Sequence, residues 1–409
     1  MKTKIQLFAA FLLLAVGALW LTSCSSEDAV QGSGSQADTS LTLTINTGKV
    51  GSRATAWDGT NSPTTTQENT INRLTVGIFD ASTKKVKTIV ELTSATTGGN
   101  SLSVSGNTAT AKIVTTSLAS GDDVLVAANA PAGNFAGVAD ETGFNEKTEG
   151  IESAVLSSPD NTKEINTNIP MYGASTLNGS GSDFTATVSV QHQLAKISLE
   201  SLSVDFAQDG PYKSATFKPT EFFLVNVPEN LAFNKEAVNG TNHFHGCNIA
   251  SSDYSSLSWI NSLPLNWGSY KEFLATGALS GSALSGIASS GTEKYGSKSF
   301  FYVTPSTDVT DDGKMKLIIA GDFDANGSGT TEKVFYPVAI NATYDAAGNA
   351  TAADGGTVFQ VSPNKNYKCT VVIKTKGTTD PTKNLDPQTA TVTVTVTDFV
   401  EAKQTTTFE

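Results

Sequence analysis

Thr391-Val392-Thr393-Val394-Thr395-Val396-Thr397 alternates apolar and hydroxyl side chains with a period of two. Successive residues of a β-strand point to opposite faces, so this run reads as a strand with one face buried. Leu41-Thr42-Leu43-Thr44-Ile45-Asn46, near the other end of the chain, repeats the pattern with larger apolar residues. Between them lie further runs rich in Val, Thr, Ile and Leu, broken by Gly, Asn and Asp. They predict strands at Arg73–Phe79, Lys87–Leu92, Ala109–Thr115, Val124–Asn129, Phe184–Val190 and Ala215–Val227. Others are expected at Ser299–Thr304, Met315–Asp322, Lys333–Ile340, Tyr367–Lys374 and Thr389–Phe399, with an extended piece at Lys403–Phe408. A short helix is expected around Asn145–Leu156, and Ile169-Pro170-Met171-Tyr172-Gly173 reads as an isolated apolar turn. His192–Leu199 opens a second set of strands after a Gly/Ser break at Leu177–Ser182, and Ser251–Lys298 reads as a long insertion of loops and short helical turns. The fold class expected is all-β, with no fixed-period repeat.

Composition agrees. The 409 residues suffice for two domains of ordinary size. Ser and Thr make up about a quarter of them, Gly accounts for 35, and only 16% are charged, which argues against helical bundles and coiled coils. Lys and Arg number 27 against 39 Asp and Glu, a net charge of −12. With no basic stripe to displace counterions, nucleic acid is excluded as a partner. Three His leave little for His-dependent hydrolysis or a multi-His metal site. There is no Gly-x-Ser-x-Gly elbow, no phosphate loop and no Gly-x-Gly-x-x-Gly. The scattered carboxylates single out no catalytic pair, so neither an enzyme nor a cofactor is expected.

Three clusters look chemical. Asp322-Phe323-Asp324-Ala325-Asn326-Gly327 opens like an EF-hand loop, but Lys333 stands at the twelfth position and strands flank it; a hairpin turn is the better reading. His243-Phe244-His245-Gly246-Cys247 would put two imidazoles and a thiol on one strand face, without a fourth ligand from a second element. Trp259, Trp267 and Tyr270 offer a stacking platform for sugars, or pin the insertion to its domain. Cys247 and Cys369 are either a disulfide or two small buried apolar residues, the second being preferred.

The first 23 residues stand outside the fold. Lys2 and Lys4 precede an apolar core from Leu7 to Leu21, too short for a membrane span and suited to a secretory signal. Leu21-Thr22-Ser23-Cys24 resembles the lipobox of bacterial lipoproteins, which implies cleavage before Cys24 and diacylglycerol on its thiol. Ser25-Ser26-Glu27-Asp28 resembles the acidic signal that sends such lipoproteins to the outer face in Bacteroidetes. Losing Lys2 and Lys4 leaves 25 basic residues against 39 acidic, a net charge of −14.

Only two residues of the chain are Arg. Arg73 opens a predicted strand, where backbone pairing resists proteolysis; Arg53 lies in Gly51-Ser52-Arg53-Ala54, small residues directly after the first strand. An Arg-specific protease is therefore expected to cut once, between Arg53 and Ala54, freeing Leu41, Leu43 and Ile45 from their groove. A strand of matched alternation carrying Val392, Val394 and Val396 would then be a replacement by sheet-edge addition.

With these features in order, the sequence resembles the fimbrillins of Bacteroidales, the subunits of type V pili. The carriers are Cys24, the first strand followed by Arg53-Ala54, Ile169–Gly173, His192–Leu199 and the terminal Thr389–Phe399 strand. The resemblance implies two transthyretin-like β-sandwich domains with Greek-key-type connections, at 54–187 and 188–409, behind a signal peptide at 1–23 and a propeptide at 24–53. It further implies export through the periplasm to the outer membrane and cleavage by a trypsin-like or gingipain-type protease. Polymerisation with copies of itself or other fimbrial subunits would follow, residues 389–409 of one filling the groove of the next. A host protein or glycan is the implied adhesion ligand. The Ser251–Lys298 insertion departs from the pattern and leaves stalk, anchor and accessory positions open. The alternative reading is a surface glycan-binding lipoprotein using Trp259, Trp267 and Tyr270. Replacing the thiol (Cys24→Ala) is expected to leave the precursor unlipidated and unattached to membranes, which mass spectrometry and membrane fractionation would check.

Overall fold

The structure is a computed structural model, and it describes residues 39–47, 65–151, 167–234, 237–238, 242–246, 257, 283–285, 292–294, 300–384 and 390–398. All belong to one unit, Ala37–Glu409. In chain order its elements begin β1 (Thr39–Asn46), α1 (Thr65–Glu68), β2 (Arg73–Phe79), β3 (Val86–Thr93), β4 (Ser101–Ser105), β5 (Thr108–Thr115) and β6 (Asp123–Ala128). Next come α2 (Glu141–Asn145), β7 (Thr148–Gly150), β8 (Met171–Thr176), β9 (Asn178–Ser180), β10 (Asp183–Ser189) and β11 (Gln191–His192). The second set has β12 (Ala195–Val204), β13 (Thr216–Pro228), β14 (Asn230–Ala232), β15 (Asn242–His245), β16 (Leu284–Ser285), β17 (Thr292–Lys294) and β18 (Phe300–Val303). It ends with β19 (Lys316–Asp324), β20 (Glu332–Ala339), β21 (Thr343–Tyr344), β22 (Ala350–Thr351), β23 (Lys365–Ile373) and β24 (Ala390–Asp398).

Among the described residues the strands form four five-stranded sheets and two small ribbons, and the fold is all-β as expected. Sheet one runs β4-β5-β1-β10-β9 and sheet two β11-β8-β6-β2-β3; they pack face to face. Sheet three is β17-β12-β23-β24 with β18 also on β12, and sheet four is β15-β13-β19-β20 with β16 on β13. The sequence patterns follow from how many faces are covered. β1, β5 and β10 alternate strictly because their Thr and Ser positions mostly face solvent, while Leu41, Leu43, Ile45, Ala111, Ile113, Phe184 and Val188 are buried. β2 and β6 read as continuous apolar runs because sheet two is covered on both sides. Leu74, Val76, Ile78, Val124 and Val126 meet sheet one, whereas Phe79, Leu125 and Ala127 join the larger core reaching Leu199, Phe222, Tyr336 and Cys369.

Two expectations are corrected here, and one strand is added. Ile169–Gly173 is no isolated turn: Met171 to Gly173 begin β8, paired with β6. Gly173 is required there, because a Cβ would collide with the Ser189 carbonyl oxygen of the neighbouring sheet. Of the helix expected around Asn145–Leu156, Thr148–Gly150 is instead a strand on β14, Ile151 is helical, and 152–156 lie outside the described residues; α2 ends at Asn145, and the Asp140 carboxylate caps its first turn, accepting from Gly143 N at 3.0 Å. β4, unpredicted, is an edge strand with a mostly exposed face.

The polar network joining the two sets of strands was equally unpredicted. Glu68, at the end of α1, is buried, and its Oε1 accepts from Lys196 Nζ at 3.0 Å and from Tyr302 OH at 2.8 Å. The Glu68 carbonyl lies 3.0 Å from His192 Nε2, and since a carbonyl only accepts, that nitrogen carries the proton. His192 Nδ1 lies 3.2 Å from Asn364 Oδ1, and Lys196 Nζ sits 4.3 Å above the Phe300 ring. Nearby, Asn129 holds the following loop, donating to Thr70 O at 2.8 Å and Ile169 O at 2.9 Å. Burial depresses the His192 pKa below its ordinary value of 6.5, outweighing the opposing pull of Glu68.

Removing one partner leaves a buried charge alone, so Lys196→Met is expected to cost about 3–5 kcal/mol, read as a fall in Tm. The unfolded chain protonates His192 near pH 6.5 while the fold keeps it neutral. Stability is therefore full above that pH and declines as pH falls toward the depressed value, by up to about 1.4 kcal/mol per unit. Denaturant melts from pH 7.5 to 5 should show this slope, and His192→Asn should flatten it.

Candidate functional site

β1 occupies the middle of sheet one. It pairs antiparallel with β5, Thr39↔Thr115 through Asn46↔Thr108, and parallel with β10, Ser40↔Asp183 through Asn46↔Ser189. Leu41, Leu43 and Ile45 are each 0% exposed, packed in the core between sheets one and two. Both ends are clamped: Thr39 Oγ1 donates to Thr115 O at 2.8 Å, and Thr47 Oγ1 to Asn107 O at 3.0 Å. Taking β1 away would open two facing strand edges and an apolar slot the length of one strand.

Downstream of β1, α1 and the residues after it are fixed through Glu68, Asn129 and the Asn72 amide, which donates to Thr167 O at 2.6 Å. Residues 48–64 connect that fixed point to β1; Arg53 and Ala54 fall among them, outside the described residues. Arg73 is the first residue of β2, half-buried and paired with Thr93, and its carbonyl accepts from Asn129 N at 2.9 Å. Cys24, Cys247, Trp259, Trp267 and Tyr270 also lie outside the described residues.

Before any exchange, the terminal strand is part of its own chain's core. β24 pairs antiparallel with β23 from Lys365↔Asp398 to Ile373↔Ala390. Val394 is 5% exposed and belongs to the main core, and Val396 packs against that core half-buried. Alternation fixes which side chains share a face, but not which sheet receives them. The facing itself is as read: Thr393 and Thr395 are exposed. β24 is an edge strand with one ladder, where β1 has two.

The other clusters resolve into structure. Asp324 closes the β19–β20 hairpin, its carboxylate accepting from Asn326 N, Ser328 N and Gly329 N at 2.6–3.2 Å; the Gly329 bond leads in holding its pKa below the usual carboxylate value. His243 and His245 are buried on β15, with His245 edge-on to Phe301. Among the described residues no three His, Cys, Asp or Glu side chains are grouped to hold a metal. Cys369 is a free thiol within β23, and burial pushes its pKa up to about 12. No helix of the described residues is long and apolar enough to cross a membrane.

Residues 39–193 match the family described as major fimbrial subunit protein (FimA). The match starts at the first residue of β1 and ends just past β11, spanning sheets one and two. Among solved structures, a cell adhesion protein from Bacteroides eggerthii DSM 20697 is similar with TM-score 0.56 and 20% identity, over 89% of this chain and 98% of that one. A fimbrilin from Porphyromonas gingivalis W83 gives 0.55 and 17%, over 89% and 99%. A cell adhesion protein from Parabacteroides distasonis ATCC 8503 gives 0.53 and 15%, over 88% and 98%. At such identities the likeness is one of fold. No curated protein matches the sequence. The matching family is one of fimbrial subunits, and the match covers less than half of this chain.

On the folded protein, an Arg-specific protease is expected to leave Arg73 intact and cut only after Arg53. Denaturation should expose both sites, and N-terminal sequencing of the fragments would distinguish them.

Proposed function

We propose, from the premise that residues 39–193 carry the signature of a major fimbrial subunit, that this chain is a structural subunit of a cell-surface fimbria. It is exported as an outer-membrane lipoprotein through Cys24, cleaved between Arg53 and Ala54, and polymerised by strand exchange. Residues 389–409 of one copy enter the slot vacated by β1 in the next. The observation that carries this reading is the position of β1, which is central in its sheet and is followed directly in sequence by the stretch that holds Arg53.

The energetics have a direction. Before cleavage the connection keeps β1 at an effective concentration of about millimolar, so an incoming strand competes poorly. Cleavage makes loss of β1 a dissociation, and dilution then favours replacement. Val392, Val394 and Val396 in place of Leu41, Leu43 and Ile45 leave three methylenes unfilled, at about 0.5–1.5 kcal/mol each. Against this, the donor trades one ladder on β23 for two on β5 and β10. Its exposed Thr393 and Thr395 would succeed Thr42 and Thr44 on the outer face, so neither surface of the sheet changes character. The partners are further copies or other subunits, the processing protease, the membrane before cleavage, and an adhesion ligand of protein or glycan nature.

Arg53→Ala is expected to hold the chain as a folded monomer in the presence of protease. Deleting 389–409 should leave a chain that folds with a lowered Tm, having lost one edge strand, and forms no filaments. Electron microscopy of both variants beside the wild type checks this; filaments of normal length from either would overturn the reading.

A further inference from the structure

The inward positions of the slot are Thr39, Leu41, Leu43, Ile45 and Thr47, all buried. In the terminal strand the positions of matching parity are Ala390, Val392, Val394, Val396 and Asp398. One placement seats the three valines on the three aliphatic positions, and it sets Ala390 at Thr39 and Asp398 at Thr47. Slipping the strand by two residues one way drives Asp398 into the position of Ile45, where a carboxylate would be buried without a partner. Slipping it the other way sets Ala390 at Leu41, leaving a void in the core.

The slot holds a group suited to the first placement. Asn107, in the turn between β4 and β5, stands beside Thr47, whose N–H and hydroxyl both donate to the Asn107 carbonyl at 3.0 Å. The Asn107 side-chain nitrogen is buried with no hydrogen-bond partner. A buried donor left unmet is costly, and the Thr47 hydroxyl bonds the Asn107 carbonyl rather than this nitrogen. A carboxylate only accepts. Resting on the strand-exchange reading, we propose that Asn107 is the register stop of the slot, receiving the Asp398 carboxylate of a second copy of this chain. The Asp398 N–H then takes over the bond of the Thr47 N–H to the Asn107 carbonyl. The first copy thus meets an acceptor in the assembled state that β1 does not provide.

The test is disulfide trapping in filaments of the full chain cleaved after Arg53. Asn107→Cys combined with Asp398→Cys is expected to give a ladder of linked subunits on non-reducing gels, since the two Cα atoms would lie within about 7 Å. A ladder through Val396→Cys or Val400→Cys in place of Asp398→Cys would mean a strand slipped by two residues, overturning the register while leaving the exchange intact. Wild-type chain that is cleaved and still forms no filaments would overturn the exchange itself. Independently, Asn107→Asp should reduce filament yield by about tenfold or more, as two carboxylates meet, and Asp398→Asn should restore it. Undiminished assembly of Asn107→Asp, or no restoration by the second change, would also overturn the proposal.

Discussion

A strand in the middle of a sheet cannot simply be absent. β1 satisfies the edges of β5 and β10 at once and fills the apolar slot between sheets one and two with Leu41, Leu43 and Ile45. Without an occupant, two rows of backbone groups and a stripe of core would face water together, and each buried polar group left unmet costs about as much as a lost hydrogen bond. This constraint makes the position of β1, more than any single side chain, the feature on which the proposed function turns. Whatever leaves the slot must be replaced by a segment of the same parity and similar length.

The second set of strands has a similar arrangement. β12 opens it as β1 opens the first, with a parallel neighbour, β23, on one side and antiparallel strands on the other. Lys196 within β12 is tied to Glu68. The same ion pair secures α1, so the chain beyond residues 48–64 is fixed to the body of the molecule whether or not β1 is present. A buried ion pair seldom stabilises more than a well-packed apolar pair would, and its worth lies in tolerating only one arrangement of its partners.

Much of this was legible in the residues. β2, β5, β10 and β20 lie within a residue or so of where periodicity put them, because each has a burial pattern that a two-residue repeat or an apolar run records directly. The failures have physical causes. Ser101–Ser105 carries only Leu102 and Val104 among serines, too little apolar content to register as a strand, and it succeeds as one because β5 supplies a template. Ile169–Gly173 looked like a turn because Gly173 breaks the run, whereas the glycine is there for close approach of Ser189. Glu68 and Lys196 are 128 positions apart, and neither shows locally that it is buried. The terminal strand was assigned its face correctly and its neighbour incompletely, since nothing in Thr-Val alternation names Tyr367 or Cys369 as the residues opposite.

The pairing of β1 also has a mechanical meaning. Because both of its ladders run along its full length, a pull along the strand loads every hydrogen bond of the slot together, as a shear, rather than opening them one after another from an end. Forced separation is governed by the rate of crossing that barrier, not by the equilibrium stability. A filament joined through such slots would resist sustained drag at each junction far longer than its affinity alone implies.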